Sequence, residues 1–77
     1  MNEVDRPMEI DARGMRCPWP ALRAARAMRS ARAVVIRADD PVAGRELAAL
    51  AGEHGWAFEG IEDDIFCLRR TSGRGAS

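Results

Sequence analysis

Three of the chain's four prolines, Pro18, Pro20 and Pro41, stand where segments of strand character give way to segments of helical period. Proline lacks an N–H and has a fixed φ, so it suits the first turn of a helix and spoils the interior of a strand or helix. The chain must therefore leave a strand and enter a helix at two places. Before the first, Met8-Glu9-Ile10-Asp11-Ala12 alternates apolar and polar residues, the period of a short strand with one buried face. Before the second, Ala33-Val34-Val35-Ile36-Arg37-Ala38 is β-branched and reads as a central strand.

The first helix is expected from Cys17-Pro18-Trp19-Pro20 to about Ser30, after a turn at Gly14. At 100° per residue, Ala21, Ala25 and Met28 share one face, with Leu22 at its edge. Trp19, Arg23, Arg26 and Ser30 lie opposite. In the second helix Asp40 is expected as the cap and Pro41 in the first turn, and Gly55 suits a left-handed cap at the far end. Ala43, Leu47, Leu50 and His54 form its inner stripe. Trp56 to Ile61 and Ile65 to Arg69 are two further strands, joined into a hairpin by Glu62-Asp63-Asp64. The order β-α-β-α-β-β, with a right-handed crossover, predicts an α/β (α+β) two-layer sandwich: a mixed four-stranded sheet with both helices on one face. Residues 8–70 make this single domain, with loose ends at 1–7 and 71–77.

Length and charge narrow the function. Seventy-seven residues suffice for one thin-cored domain. Twelve Arg balance twelve acids, although residues 1–37 carry a net +4 and residues 38–77 a net −4. Such polarity can orient a partner. Net neutrality and only four aromatic residues argue against direct nucleic-acid binding. Two cysteines fifty positions apart are no secreted disulfide framework, and with one His they are too few for a zinc site, so no metal and no organic cofactor is expected. The opening residues lack the basic and apolar regions of a signal peptide, and no apolar run approaches the roughly 20 residues of a membrane span. The expected setting is the reducing cytoplasm, away from the membrane.

Cys17 is the residue with chemistry to offer. It stands where a loop meets a helix N-terminus, whose partial positive charge favours an anion, and Arg16 and Arg13 push the same way. With Cys17 as the N-cap, Pro18 and Pro20 remove two first-turn donors and leave the Trp19 N–H as the one aimed at sulfur. The two rings also hold the pose. An activated thiol with no general base beside it in sequence is the expectation. The bland alternative, a buried cysteine acting as a small hydrophobe, does not explain two prolines in one helical turn.

The segment Asp11-Ala12-Arg13-Gly14-Met15-Arg16-Cys17-Pro18-Trp19-Pro20 resembles the stretch ending in Cys-Pro-x-Pro of the TusA/SirA-like sulfur-carrier (sulfurtransferase) family. Ala38-Asp39-Asp40-Pro41 and the closing Leu68-Arg69-Arg70 are similar too, so the likeness runs from about Met8 to Arg70. It implies a sandwich like the C-terminal domain of bacterial translation initiation factor three. It also implies a persulfide on Cys17, loaded by a cysteine desulfurase or rhodanese and relayed to a protein acceptor. Destinations in the family include tRNA thiolation, sulfur metabolism and cofactor biosynthesis. One position departs from the pattern: the residue between the prolines is often polar or Glu in tRNA-thiolating members, and here it is Trp19. That leaves the acceptor open.

The remaining features have plain readings beside functional ones. Cys67 has the opposite parity to Phe66 and Leu68 and should face the open side of the sheet, incidental or a resolving thiol. Trp56 and Phe58 read as core, and His54 as a solvent-edge residue. Arg13, Arg23 and Arg26 form a solvated face or a dock for an acidic partner. Two other functions stay open: an RNA- or protein-binding module of initiation-factor-like fold, and a thiol redox switch based on Cys17.

Overall fold

A computed structural model describes residues 7–71. The loose ends expected at residues 1–7 and 71–77 therefore fall, apart from Pro7 and Thr71, outside the described residues. Six elements follow in the expected order: β1 (Met8–Asp11), α1 (Trp19–Ala27), β2 (Ala33–Arg37), α2 (Ala43–His54), β3 (Ala57–Glu62) and β4 (Ile65–Arg69). The sheet runs β1-β2-β4-β3, with β1 and β2 parallel and the other pairs antiparallel.

Register decides which residues meet the helices. Met8 pairs with Val34 and Val34 with Leu68; Ile10 pairs with Ile36 and Ile36 with Phe66. Paired residues share a face, so these rows point one way. Val34, Ile36 and Leu68 are fully buried in one cluster with Ala24 and Met28 of α1 and its turn, and Ala43, Leu47 and Ala51 of α2. Both helices thus cover a single face, and the fold is the expected two-layer α+β sandwich with a mixed sheet.

Several local expectations change. α1 ends at Ala27, and Met28 to Ser30 form a closing turn. Its buried residues are Pro20, Ala24 and Met28, while Ala21 and Ala25 are half-buried and Leu22 is exposed. An alanine-rich helix has no strong apolar stripe, so docking of the Pro20 ring and Met28 sets its rotation. α2 begins at Ala43 with Val42 as its cap residue, and no side chain caps it. Asp40 acts earlier, in the turn before the helix: its carbonyl accepts from Ala43 N at 2.9 Å and its Oδ1 from Val42 N at 3.2 Å. Gly55 closes α2 in the left-handed conformation, at φ 74°.

The aromatic residues of the hairpin are less buried than expected. Trp56 is half-buried, stacked on the exposed His54 ring at 4.3 Å, and Phe58 lies exposed at the sheet edge against Phe66. Two helices do not span four strands, and β3, as the outer strand, is left uncovered. Cys67 has the expected orientation, paired with Val35 and Glu59 on the side away from the helices. Yet it is buried, because β4 is an inner strand with neighbours on both sides.

At the site end, Gly44 lets α2 approach β4. A Cβ at this position would lie 3.0 Å from the Phe66 ring, inside the usual contact distance.

Candidate functional site

Parallel β1 and β2 end at the same edge of the sheet, so the loops that follow them lie side by side. Ala12 N bonds to Arg37 O at 2.8 Å and ends the pairing. Gly14 then turns the chain at φ 86°, a backbone region that few residues except glycine enter without strain. Two consecutive acids from the second loop hold the first. Asp39 Oδ1 accepts the Gly14 N–H at 2.9 Å, and Asp40 Oδ2 accepts the Cys17 N–H at 2.6 Å. With Oδ1 on Val42, one carboxylate ties the Cys17 loop to the start of α2.

The residues around the thiol form a turn, not the expected cap. Trp19 N donates to Arg16 O at 2.8 Å, and the Cys17–Pro18 peptide at the centre of that turn is cis. Pro18 is the cap residue of α1, Pro20 lies inside its first turn, and the Leu22 N–H reaches Pro18 O at 3.0 Å. Trp19 N–H is thus engaged with Arg16 and is not free for sulfur. Pro18 is exposed, whereas Pro20 is buried against the core.

Cys17 is exposed and Cys67 is buried. The Cys17 thiol is pushed above its ordinary value. Loss of hydration is the first cause, followed by the charge of Glu46, a hydrogen bond to the Glu46 carboxylate, and the charge of Asp40. A proton on sulfur relieves all of these, since nearby negative charge disfavours a second anion. The expected lowering by Arg16 and the helix terminus is therefore overturned: carboxylates from α2 and the loop before it outweigh them.

The arginines divide in the same way. Arg13 is held by Asp11 on its own loop, with Nε to Oδ1 at 2.8 Å and Nη2 to Oδ2 at 2.7 Å. Hydrogen bonds from the Arg13 side chain and backbone hold the Asp11 carboxyl well below the usual carboxylate range. Arg13 is thus occupied in a local pair. Arg16, Arg23 and Arg26 are exposed. Trp19, at 59% exposure, shares the outer face of α1 with Arg23 and Arg26, next to exposed Leu22. This face adjoins the Cys17 turn directly.

Asp39, Asp40 and Glu46 were missed as site residues because their partners lie more than twenty positions away in sequence. One signal was available: a parallel β-α-β unit brings the loops after both strands to the same edge, where α/β sheets place their sites.

The family model described as Sulfurtransferase TusA matches residues 8–69. Among solved structures, the chain is similar to a SirA-like protein from Desulfitobacterium hafniense. The two share 23% identity and a TM-score of 0.71, over 84% of this chain and 99% of that one. At that identity the likeness speaks for the fold alone. No curated protein matches the sequence. The family match, by contrast, spans all six elements and the Cys17 turn between them: the chain belongs to the TusA sulfurtransferase family.

Proposed function

We propose that the protein is a sulfur carrier that accepts sulfane sulfur as a persulfide on Cys17 and relays it to a protein acceptor. One observation carries the assignment to Cys17: of the two thiols it alone is exposed, on a turn clamped by Asp39 and Asp40. Membership of a sulfurtransferase family supports the chemistry. In the relay, the Cys17 sulfur attacks the outer sulfur of a donor persulfide. A new S–S bond forms on Cys17, the donor's S–S bond breaks, and its electron pair leaves on the donor cysteine. An acceptor thiolate later removes the same sulfur. The sulfane sulfur keeps its oxidation state throughout, so no outside oxidant is needed.

The donor is a protein that carries a persulfide, a cysteine desulfurase or a rhodanese. Trp19, Arg23 and Arg26 form the surface it meets, since anything reaching Cys17 passes over them. A switch between Cys17 and Cys67 fits less well, because Cys67 is buried in an inner strand and faces away from the helices.

Incubation with a cysteine desulfurase and cysteine, followed by peptide mapping of the added sulfur, tests the proposal. Sulfur on Cys17 that persists in Cys67→Ser and vanishes in Cys17→Ser is expected. Loading on Cys67 alone refutes it.

A further inference from the structure

The charges that act on the Cys17 sulfur are two carboxylates. Asp40 is fixed there by the Cys17 N–H at 2.6 Å, while its second oxygen takes the Val42 N–H at 3.2 Å. That shared anchor sets the first turn of α2 beside the thiol. Glu46 lies in this turn, half-buried, with its own N–H bonded to Val42 O at 3.0 Å. Its carboxylate accepts the hydrogen bond of the thiol. Of the charged groups on the thiol's own loop, Arg13 is paired with Asp11 and Arg16 is exposed. Asp39 is occupied by Gly14 N–H.

We infer that Glu46 is a catalytic residue of the relay, which receives the Cys17 proton as sulfur arrives and keeps the carried sulfur in the neutral form that a thiolate acceptor attacks. The inference rests on the Cys17 relay and names the chemical class of its acceptor. On loading, the Cys17 proton passes to Glu46 and then to the departing donor thiolate, so Cys17–SH and R–S–SH become Cys17–S–SH and R–SH. On discharge, an acceptor thiolate bonds to the outer sulfur and the Cys17 S–S bond breaks. The electron pair returns to the Cys17 sulfur, which regains its proton through Glu46.

The charge of the surroundings selects between two uses of a persulfide. An anionic outer sulfur is a nucleophile, suited to attack an activated carbonyl or adenylate, and it repels a thiolate. A protonated one is an electrophile towards a thiolate. Carboxylates disfavour a further negative charge and hold the second form. A ring of arginines would hold the first. The acceptor that suits this site is therefore a cysteine.

The test compares the full chain with Glu46→Gln, which keeps the shape but cannot take a proton, and with Glu53→Gln. The latter loses the same charge in the same helix, roughly 10 Å along its axis. Alkylation of unloaded Cys17 by iodoacetamide is followed against pH. Separately, Cys17 is loaded with glutathione persulfide and discharged by dithiothreitol at neutral pH, with the Cys17 peptide read by mass spectrometry. In Glu46→Gln the alkylation midpoint should fall by about one pH unit. Such a shift cuts the protonated, attackable fraction by up to about tenfold. A more acidic Cys17 also leaves more readily, by roughly threefold at the sensitivity usual for thiol exchange, so discharge should slow about threefold. Glu53→Gln should match the unaltered chain in both measurements. If the unaltered chain takes up no sulfur at Cys17, the relay fails and this inference with it. Normal uptake with an unmoved midpoint, or with undiminished discharge in Glu46→Gln, leaves the relay standing and overturns the role of Glu46. Equal effects in Glu53→Gln overturn it too, by showing net charge rather than contact.

Discussion

Replacing Asp40 by alanine removes the one side chain that joins the Cys17 loop to α2. Two backbone donors lose their partner: Cys17 N, bonded at 2.6 Å and open to solvent, and Val42 N, bonded at 3.2 Å and partly buried. A hydrogen bond to a charged acceptor contributes about 1.5–3 kcal/mol, and the solvent-exposed one falls below that range because water replaces the carboxylate. Loss of an acidic residue that serves a helix start costs about 1 kcal/mol by itself. Together these give about 2 kcal/mol for Asp40→Ala, which in a domain of this size lowers Tm by about 10 °C. Asp40→Asn retains one acceptor oxygen and should cost about half as much. Thermal unfolding followed by circular dichroism measures both, and amide exchange at Cys17 reports whether the loop itself has loosened. An Asp40→Ala chain that melts within about 2 °C of the unaltered one, with Cys17 exchange unchanged, refutes the clamp.

Two further outcomes follow from the same geometry. Trp19→Ala should change stability by less than about 0.5 kcal/mol, because the indole is largely exposed, while sulfur transfer from a protein donor slows. A loss near 3 kcal/mol, with normal transfer per folded molecule, would instead mark Trp19 as a packing residue. Asp11 has a folded-state pKa depressed below its unfolded value of about 3.9, so its contribution is present above that pH and is lost as acid protonates the folded carboxyl. Acid unfolding should therefore be shallower below about pH 4 in Asp11→Asn, and the difference should shrink in high salt, since the Arg13 pair is exposed. Superimposable acid profiles of the two chains would count against the pair.

How far the site could be read in advance follows the range of the forces involved. That Cys17 stands at the entry to a helix was legible, because the prolines and Gly14 act on their own backbone. What the thiol feels there was not. The free Trp19 N–H expected at the sulfur rested on the helix beginning at Pro18, and a turn closing on Arg16 O moved that start by one residue and used the donor. Glu46 is twenty-nine positions from Cys17, and its effect on sulfur needs only proximity in space.

The sequence by itself determined the six elements and their order, because proline, glycine and β-branched residues act through backbone preferences that reach only a few positions. It also determined that the helices share one face of the sheet, since the parity of Val34, Ile36 and Leu68 marks one apolar side. Only the tertiary structure decided which face of the alanine-rich α1 turned inward, how far Phe58 was left uncovered, and that Cys67 was buried in an inner strand. It also decided the charge around the thiol. Burial and electrostatics are summed over neighbours in space, and the parallel pairing of β1 with β2 brought Asp40 and Glu46 to a cysteine whose adjacent residue in sequence is an arginine.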